Sequence, residues 1–312
     1  FKRIDPFNYL DSDPERETSW QNFVGGNIKG GVNWNINENH NVFVNMGDYS
    51  RQPFIDAVFQ NYRNDINQNA RNEKVAGFEL GYGYTSEKLR ANVNVYRTEW
   101  KDRFKTVGFR DGSVRGTADL QGIKQLHTGI ELDFTYDLSD SFRLVGMASV
   151  GDWEYAGNVS GTAFDDVDPV GTVTLYLDGV KVGNSAQTTA RLGFDWDVVG
   201  NFKVDYSHRY AARLYADINT ADFDSVDNDG SLQLPNYFLG DLGMSYKFDF
   251  KDNSNLNFRL NINNVGNTEY IAESLTNNFV GNGDDSYRGI NTNNKAFFGF
   301  GTTWNLTARY RF

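Results

Sequence analysis

Cysteine is absent from the 312-residue chain, so disulfides and thiolate metal sites are excluded. No run of about 18 apolar residues occurs, which excludes a membrane-spanning helix. The formal net charge of −11 argues against nucleic acid as a partner, because nucleic-acid binding needs a basic surface. None of these absences excludes a transmembrane β-barrel, which hides its apolar band in every second residue.

The C-terminal segment alternates between two kinds of side chain. Its odd positions from 299 to 311 hold only glycine, threonine, asparagine and arginine. Its even positions are mostly apolar or aromatic: Phe298, Phe300, Thr302, Trp304, Leu306, Ala308, Tyr310 and Phe312. A period of two residues indicates a β-strand and not a helix. The same alternation occurs at 89–96, 130–138, 190–198, 202–207 and 255–263.

Strand length and aromatic placement favour a membrane barrel over a soluble β-sandwich. The alternating segments run for about ten to fifteen residues, whereas strands usually have about five or six. Many aromatic residues stand near strand ends, as expected at a membrane–water interface, among them Trp196, Tyr246, Phe248, Phe250 and Tyr310. We therefore expect an all-β, transmembrane, antiparallel up-and-down β-barrel.

The pattern predicts about eleven strands, near 22–36, 41–50, 73–86, 88–101, 124–138, 141–153, 186–198, 201–215, 236–250, 255–267 and 295–312. Short turns alternate with long connections near 51–72, 102–123, 154–185, 216–235 and 268–294, as in outer-membrane barrels. Residues 1–21 then belong to an extracellular loop, and 22–312 form half of a barrel of about 22 strands. Because the chain begins at Phe1, not Met, we expect the other half and a plug domain to precede it.

Four segments, in order, resemble the barrel of TonB-dependent receptors. These are NEKVAGFELGYGYTSEKLRANVNVYRTEWKDR (72–103), LPNYFLGDLGMSYKF (234–248), FRLNINNVGNTEY (258–270) and the closing FGFGTTWNLTARYRF (298–312). The aromatic-rich style resembles receptors of the Bacteroidetes group.

The resemblance implies active import of a ligand across the bacterial outer membrane, with no chemistry on the ligand and no enzymatic activity. The ligand would be a siderophore, a glycan or a peptide. The TonB–ExbB–ExbD complex would supply energy through the missing N-terminal region. The barrel-assembly machinery would bind the closing strand that ends in Phe312, and a surface lipoprotein lid, as in glycan importers, stays open as a further partner. A passive porin or a structural barrel component of a larger assembly is the alternative, and a soluble all-β binding protein is a second rival.

Candidate site residues divide between a lumen wall and an outer mouth. The wall would be charged, and its residues would contact the plug, one another or the ligand: Arg191, Asp205, Arg209, Asp241, Lys247, Arg259, Arg309 and Arg311. Aromatic side chains anchor ligands, so the candidate ligand contacts at the mouth are Tyr210, Tyr215, Phe223 and Tyr270.

Metal or cofactor binding has weak support in the sequence. His40, His127 and His208 stand on different strands, and His208 has the apolar parity of an interface residue, so haem or metal ligation is the lesser interpretation. Asp165-Asp166-Val167-Asp168 and Asp227-Asn228-Asp229-Gly230 have Ca²⁺-type carboxylates, but the second lacks key EF-hand ligands. Solvated acidic turns explain both runs, and no cofactor is expected.

The predicted alternation can be tested at two neighbouring residues. Leu260→Arg places a cation against lipid near the bilayer midplane, and it should cost roughly 2–4 kcal/mol. Asn261→Arg adds a cation to the polar row and should cost little. The measurement is folding stability in lipid; a larger loss for Asn261→Arg would show that the two faces are assigned the wrong way round.

Overall fold

The computed structural model describes residues 1–5, 10, 12–61, 63–165, 168–251 and 254–312. The helical segments among these residues are a 3-10 turn at Pro14–Arg16, before the first strand, and α1 (Ile55–Val58), after the second. The strands, in chain order, are β1 (Asn27–Asn35), β2 (His40–Arg51), β3 (Phe59–Gln60), β4 (Asp65–Ile66), β5 (Glu73–Thr85), β6 (Leu89–Asp111), β7 (Val114–Ser139), β8 (Phe142–Tyr155), β9 (Val159–Phe164), β10 (Pro169–Leu175), β11 (Thr188–Val199), β12 (Phe202–Ala212), β13 (Tyr237–Asp249), β14 (Asn255–Asn263), β15 (Ile271–Ser274), β16 (Ser286–Tyr287), β17 (Ile290–Asn291), β18 (Ala296–Phe298) and β19 (Thr303–Arg311). Within the described residues, no helix has the length and apolarity needed to cross a membrane.

Eleven strands form one continuous antiparallel path, which confirms the predicted all-β sheet. The order is β1-β2-β5-β6-β7-β8-β11-β12-β13-β14-β19, and β9 and β10 extend the sheet beside β7. Consecutive path strands are neighbours, as in an up-and-down barrel. The turn between β13 and β14 includes Asp252 and Asn253, which lie outside the described residues, as do Pro6 and its neighbours in the 1–21 segment.

Register aligns the apolar side chains of neighbouring strands on one face of the sheet, the apolar face. Six residues lie opposite one another in successive strands: Val32, Val44, Leu80, Val95, Ile130 and Val150. Because successive side chains of a strand point to opposite sides, the intervening polar residues all lie on the other face, the polar face.

The apolar face has a clear limit toward the end of the sheet that carries the long connections, called here the outer end. Two residues beyond Val95 on β6, the same row continues with Arg97. At the corresponding height, Arg97 pairs with Thr128 and Thr128 with Asp152. A charged or hydroxyl side chain against hydrocarbon is unfavourable, so the apolar band ends at this level on β6, β7 and β8, whereas β2 and β5 carry Met46 and Phe78 there.

The predicted long connection at 102–123 is wrong. β6 and β7 instead continue as a paired hairpin up to Asp111 and Val114, with Gly112 and Ser113 in the turn. The hairpin extends well past the apolar band, where lipid no longer imposes alternating polarity. The alternation of apolar and polar residues is therefore lost in this part of the hairpin, although the strands remain paired.

The predicted strands 255–267 and 295–312 are both too long. Asn264 has a left-handed φ of 49° and donates its side-chain amide to the carbonyls of Thr268 and Phe300. Thr302 donates its hydroxyl to the Asn264 carbonyl. These side-chain bonds replace ladder bonds, so β14 ends at Asn263, and Ala296–Phe298 pairs with β15 in a separate small sheet.

The outer connections fold over the end of the sheet as a cap with its own apolar core. We define the cap as the outer parts of β6 and β7 with residues 156–187 and 213–236. Leu120 and Phe223 have no exposed surface and pack in one cluster with Leu175, Leu177 and Ile218. A second cluster joins Leu214, Ala216, Leu232, Leu234, Ile271 and Ile290. The long connections are therefore not simple solvated loops.

The residues before β1 contact the same end. Asn64, in the connection after β2, donates its side-chain amide to the carbonyls of Glu15 and Arg16. This contact agrees with a position of residues 1–21 beside the outer connections, and their extracellular location stays a prediction.

The core of the cap can be tested at Phe223. Phe223→Ala removes a fully buried ring and should destabilise the cap by about 3–5 kcal/mol. Limited proteolysis of the intact protein should then cut within 156–187 and 213–236 faster than in the unsubstituted protein, because local opening becomes more frequent.

The matched control is Val226→Ala in the same connection, where the side chain is 69% exposed. It should leave the cleavage pattern unchanged. Equal cleavage rates for Phe223→Ala and Val226→Ala would show that the buried ring does not hold the cap together.

Candidate functional site

All eight residues predicted to line a lumen share one face of the sheet. The register places them on the polar face: Arg191, Asp205, Arg209, Asp241, Lys247, Arg259, Arg309 and Arg311. Whether this face lines a lumen stays a prediction, but their common side is a property of the backbone pairing.

One ion pair on the polar face crosses an entire strand. Arg259 on β14 forms a bidentate pair with Asp205 on β12, and its Nη2 lies 2.9 Å from Asp205 Oδ1. Gly243 on β13 lies between them. A Cβ there would stand 2.0 Å from Arg259 Nη2, so only glycine leaves room for the two side chains to meet.

Other charges on this face are also paired. Arg209 donates to Asp241 at 3.0 Å, and Lys247 lies 2.7 Å from Asp249. In the described part of the chain, Arg191, Arg309 and Arg311 have no carboxylate within 4.0 Å. Four of the eight residues therefore form cross-strand pairs, Lys247 pairs with Asp249 on its own strand, and three arginines present free guanidinium groups.

The four aromatic residues predicted at the mouth do not come together. Tyr210 lies on the apolar face and stacks on Phe238, with ring centroids 4.6 Å apart. Phe223 is buried in the cap core, so in this conformation neither residue can contact a ligand from the polar face. Tyr215 forms an isolated bridge with Gln233, and the ring of Tyr270 packs at a tilt against Tyr237, with centroids 4.4 Å apart. Tyr215 and Tyr270 remain candidate contacts.

The structure does not assemble the histidines or the acidic runs into a metal site. His208 stacks on Phe238 on the apolar face, and His127 stacks on Trp153 on the polar face. Among the described residues, no three of the His, Asp and Glu side chains are grouped closely enough to hold a metal ion. Asp166 and Val167 of the first acidic run lie outside the described residues.

Ion pairs connect the outer parts of the strands to the connections of the cap. Lys105 on β6 donates to both carboxylate oxygens of Asp217 at 2.6 Å. Burial lowers the pKa of the Lys181 ammonium, but hydrogen bonds to the carboxylates of Asp152 and Glu154 outweigh burial, and the pKa lies above its ordinary value. These contacts connect the outer strands to residues 156–187 and 213–236.

Sequence reasoning missed a cleft on the polar face near the outer end. Its volume is about 890 Å³, and one wall is aromatic, formed by Tyr96, Trp100, His127 and Trp153. Its floor carries an amide–carboxylate ladder across four strands, formed by Asn45, Glu79, Asn94 and Glu131. We call this the aromatic cleft. The available signal was the presence of Tyr96, Trp100 and Trp153 at positions of polar parity.

A family model described as TonB dependent receptor-like, beta-barrel matches residues 4–265. Comparison with curated protein sequences gives no significant match.

Among solved structures, the FrpB iron transporter from Neisseria meningitidis (F3-3 variant) is 18% identical with a TM-score of 0.59, covering 90% of this chain and 38% of that chain. The siderophore receptor PiuA from Acinetobacter baumannii is 17% identical with a TM-score of 0.58, covering 90% and 35%. The copper transporter OprC is 14% identical with a TM-score of 0.60, covering 92% and 39%. At these identities the likeness shows a shared fold, and the chain spans well under half of each of these proteins.

The family match covers most of the chain and agrees with the eleven-stranded antiparallel sheet. Receptors of this family are bacterial outer-membrane transporters and not enzymes. This chain belongs to the TonB-dependent receptor family and contributes strands to its β-barrel.

Proposed function

We propose that this chain forms the C-terminal half of a plugged barrel of about 22 strands, which imports a specific ligand actively across the outer membrane. Residues 1–21 would form part of an extracellular loop, and residues 22–312 would form the half-barrel. A plug domain and the remaining strands would complete it. The TonB–ExbB–ExbD complex would drive movement of the plug.

The observation that carries this proposal is the polar face, which extends across eleven strands and reaches a folded cap at its outer end. A barrel wall with this face inward would offer paired charges and three unpaired arginines, Arg191, Arg309 and Arg311, to a plug. Buried charges need partners, so unpaired guanidinium groups in a closed lumen favour carboxylates on the plug.

A passive porin or a scaffold barrel is the alternative function. A porin keeps an open aqueous channel, whereas a receptor is closed by its plug until energy is supplied. The cap favours the receptor function over the porin function. Its apolar core holds the outer connections as a folded body, and not as a rim around an open pore.

Further partners are proposed from the surface of the chain. Lipid would cover the apolar face, and the barrel-assembly machinery would bind the exposed closing strand that ends in Phe312. A surface lipoprotein would bind over the cap if the barrel imports a large ligand such as a glycan. The aromatic-rich strands also support our assignment to the Bacteroidetes type of receptor.

Import can be tested with cells that carry the whole receptor. Labelled probes would be a ferric catecholate, ferric citrate, Cu²⁺, a lysine-rich peptide and a neutral hexasaccharide. We expect receptor-dependent accumulation of one probe, and a protonophore should abolish it because the energy comes from the inner membrane.

Conductance of the purified receptor in planar bilayers is the control measurement. A plugged receptor should show no stable open channel. Stable channels, together with probe uptake that the protonophore leaves unchanged, would establish the porin alternative instead.

A further inference from the structure

We propose that the aromatic cleft binds a neutral saccharide, which makes it a ligand site on the barrel wall. This inference rests on the proposed import function and names its ligand class. The cleft is lined by side chains of the polar face of β2, β5, β6, β7 and β8, with β1 at its edge.

The height of the cleft suits a ligand that arrives from outside. Trp100, His127 and Trp153 stand at the level where the apolar row on the opposite face has given way to Glu99, Thr128 and Asp152. These three rings therefore lie beyond the apolar band of β6, β7 and β8, whereas Tyr96 lies at its edge.

The aromatic wall contains one parallel pair of rings. The rings of His127 and Trp153 are 13° apart with centroids at 5.2 Å, and Trp100 is tilted by 47° to His127 with centroids at 6.4 Å. The π faces of aromatic rings carry partial negative charge. The C–H groups on the apolar face of a pyranose ring carry partial positive charge and match such a surface.

Hydrogen bonds hold Trp153 in place before any ligand arrives. Its indole Nε1 donates to the Tyr96 hydroxyl at 2.9 Å. Gln187, which is 1% exposed, accepts from the Trp153 backbone N–H at 3.1 Å and donates to its carbonyl at 2.8 Å. Gly151 lets the indole lie low over the sheet, because a Cβ there would stand 2.5 Å from Nε1. A preorganised ring loses little entropy on binding.

The floor of the cleft offers alternating donors and acceptors. Asn45 donates to Glu79 at 3.2 Å, and Asn94 donates to both Glu79 at 2.9 Å and Glu131 at 3.3 Å. A carboxylate oxygen can accept two hydrogen bonds. Glu79 and Glu131 therefore retain acceptor capacity for the hydroxyl groups of a ligand. Amides and carboxylates beside an aromatic face together match the alternating hydroxyl and C–H surfaces of a sugar.

Charge disfavours an anionic ligand. The cleft lining contains the carboxylates of Glu79 and Glu131 and one cation, Lys29, and the Arg103 guanidinium lies 5.1 Å from the ring centroid of Trp100. No cluster of cations therefore faces a polyanion such as a ferric catecholate. The two carboxylates would attract a cationic peptide, so peptide binding is the competing outcome that the test distinguishes.

The test measures binding to the purified whole receptor by titration calorimetry, which needs no energy coupling. The probes are neutral hexasaccharides of glucose, mannose, xylose and galactose, with a lysine-rich peptide and a ferric catecholate as comparison ligands. We expect at least one hexasaccharide to bind. Trp153→Ala should weaken that binding by at least about tenfold, as for a central aromatic anchor.

Two variants keep the result interpretable. Trp196→Ala removes the same side chain from the apolar face and should leave binding unchanged. Trp153→Phe keeps an aromatic ring and should retain most of the affinity, while heat-modifiable migration on gels confirms that each variant is folded. Glu131→Gln removes one carboxylate charge from the floor and would strongly weaken the binding of a cationic ligand.

Several outcomes would overturn the inference: no hexasaccharide binds, Trp153→Ala binds as well as the unsubstituted receptor, or the peptide binds and Glu131→Gln abolishes it. Energy-dependent uptake of a ferric catecholate, unaffected by Trp153→Ala, would leave the import function intact and reject the saccharide. Saccharide binding that depends on Trp153, without energy-dependent uptake, would support the saccharide site and reject the import function.

Discussion

Hydrocarbon offers no hydrogen bonds, so every backbone N–H and C=O of a strand in a membrane has to find its partner in the neighbouring strand. In this chain antiparallel pairing between neighbours meets the constraint for the nine inner strands of a path of eleven, and β1 and β19 each pair on one side. Pairing fixes register, and register fixes which side chains share a face. The apolar row from Val32 to Val150 and the polar row beside it are two consequences of the same backbone bonds.

The polar face then becomes a place where side chains interact across strands. Arg259 reaches Asp205 over Gly243, which shows that one glycine can matter as much as the charged residues that it separates. The paired charges leave only a few guanidinium groups free. The same face changes character toward the outer end, where rings replace charges and the Asn45-to-Glu131 ladder replaces ion pairs.

Above the apolar band, lipid no longer dictates alternation, and the chain returns to the rules of a soluble domain. The cap buries Leu120 and Phe223 in an ordinary apolar core, and Lys105 binds Asp217 across more than a hundred residues of sequence. The outer end therefore combines a rigid wall from the barrel with a body of folded connections. The aromatic cleft therefore lies where the strands of the barrel wall meet the folded connections of the cap.

Sequence alone indicated the eleven strands of the main path, their up-and-down order and the two faces of the sheet, because a period of two residues records local backbone geometry directly. The family was indicated by the resemblance of four segments. The sequence also placed the eight charged residues on one side, since parity alone decides this. It could not find the cap core or the aromatic cleft. Phe223 was predicted to be a mouth residue, and no prediction was made for Trp100 and Trp153, which have polar parity. Their surroundings depend on contacts between distant strands and connections, and only the tertiary structure decides which of these meet.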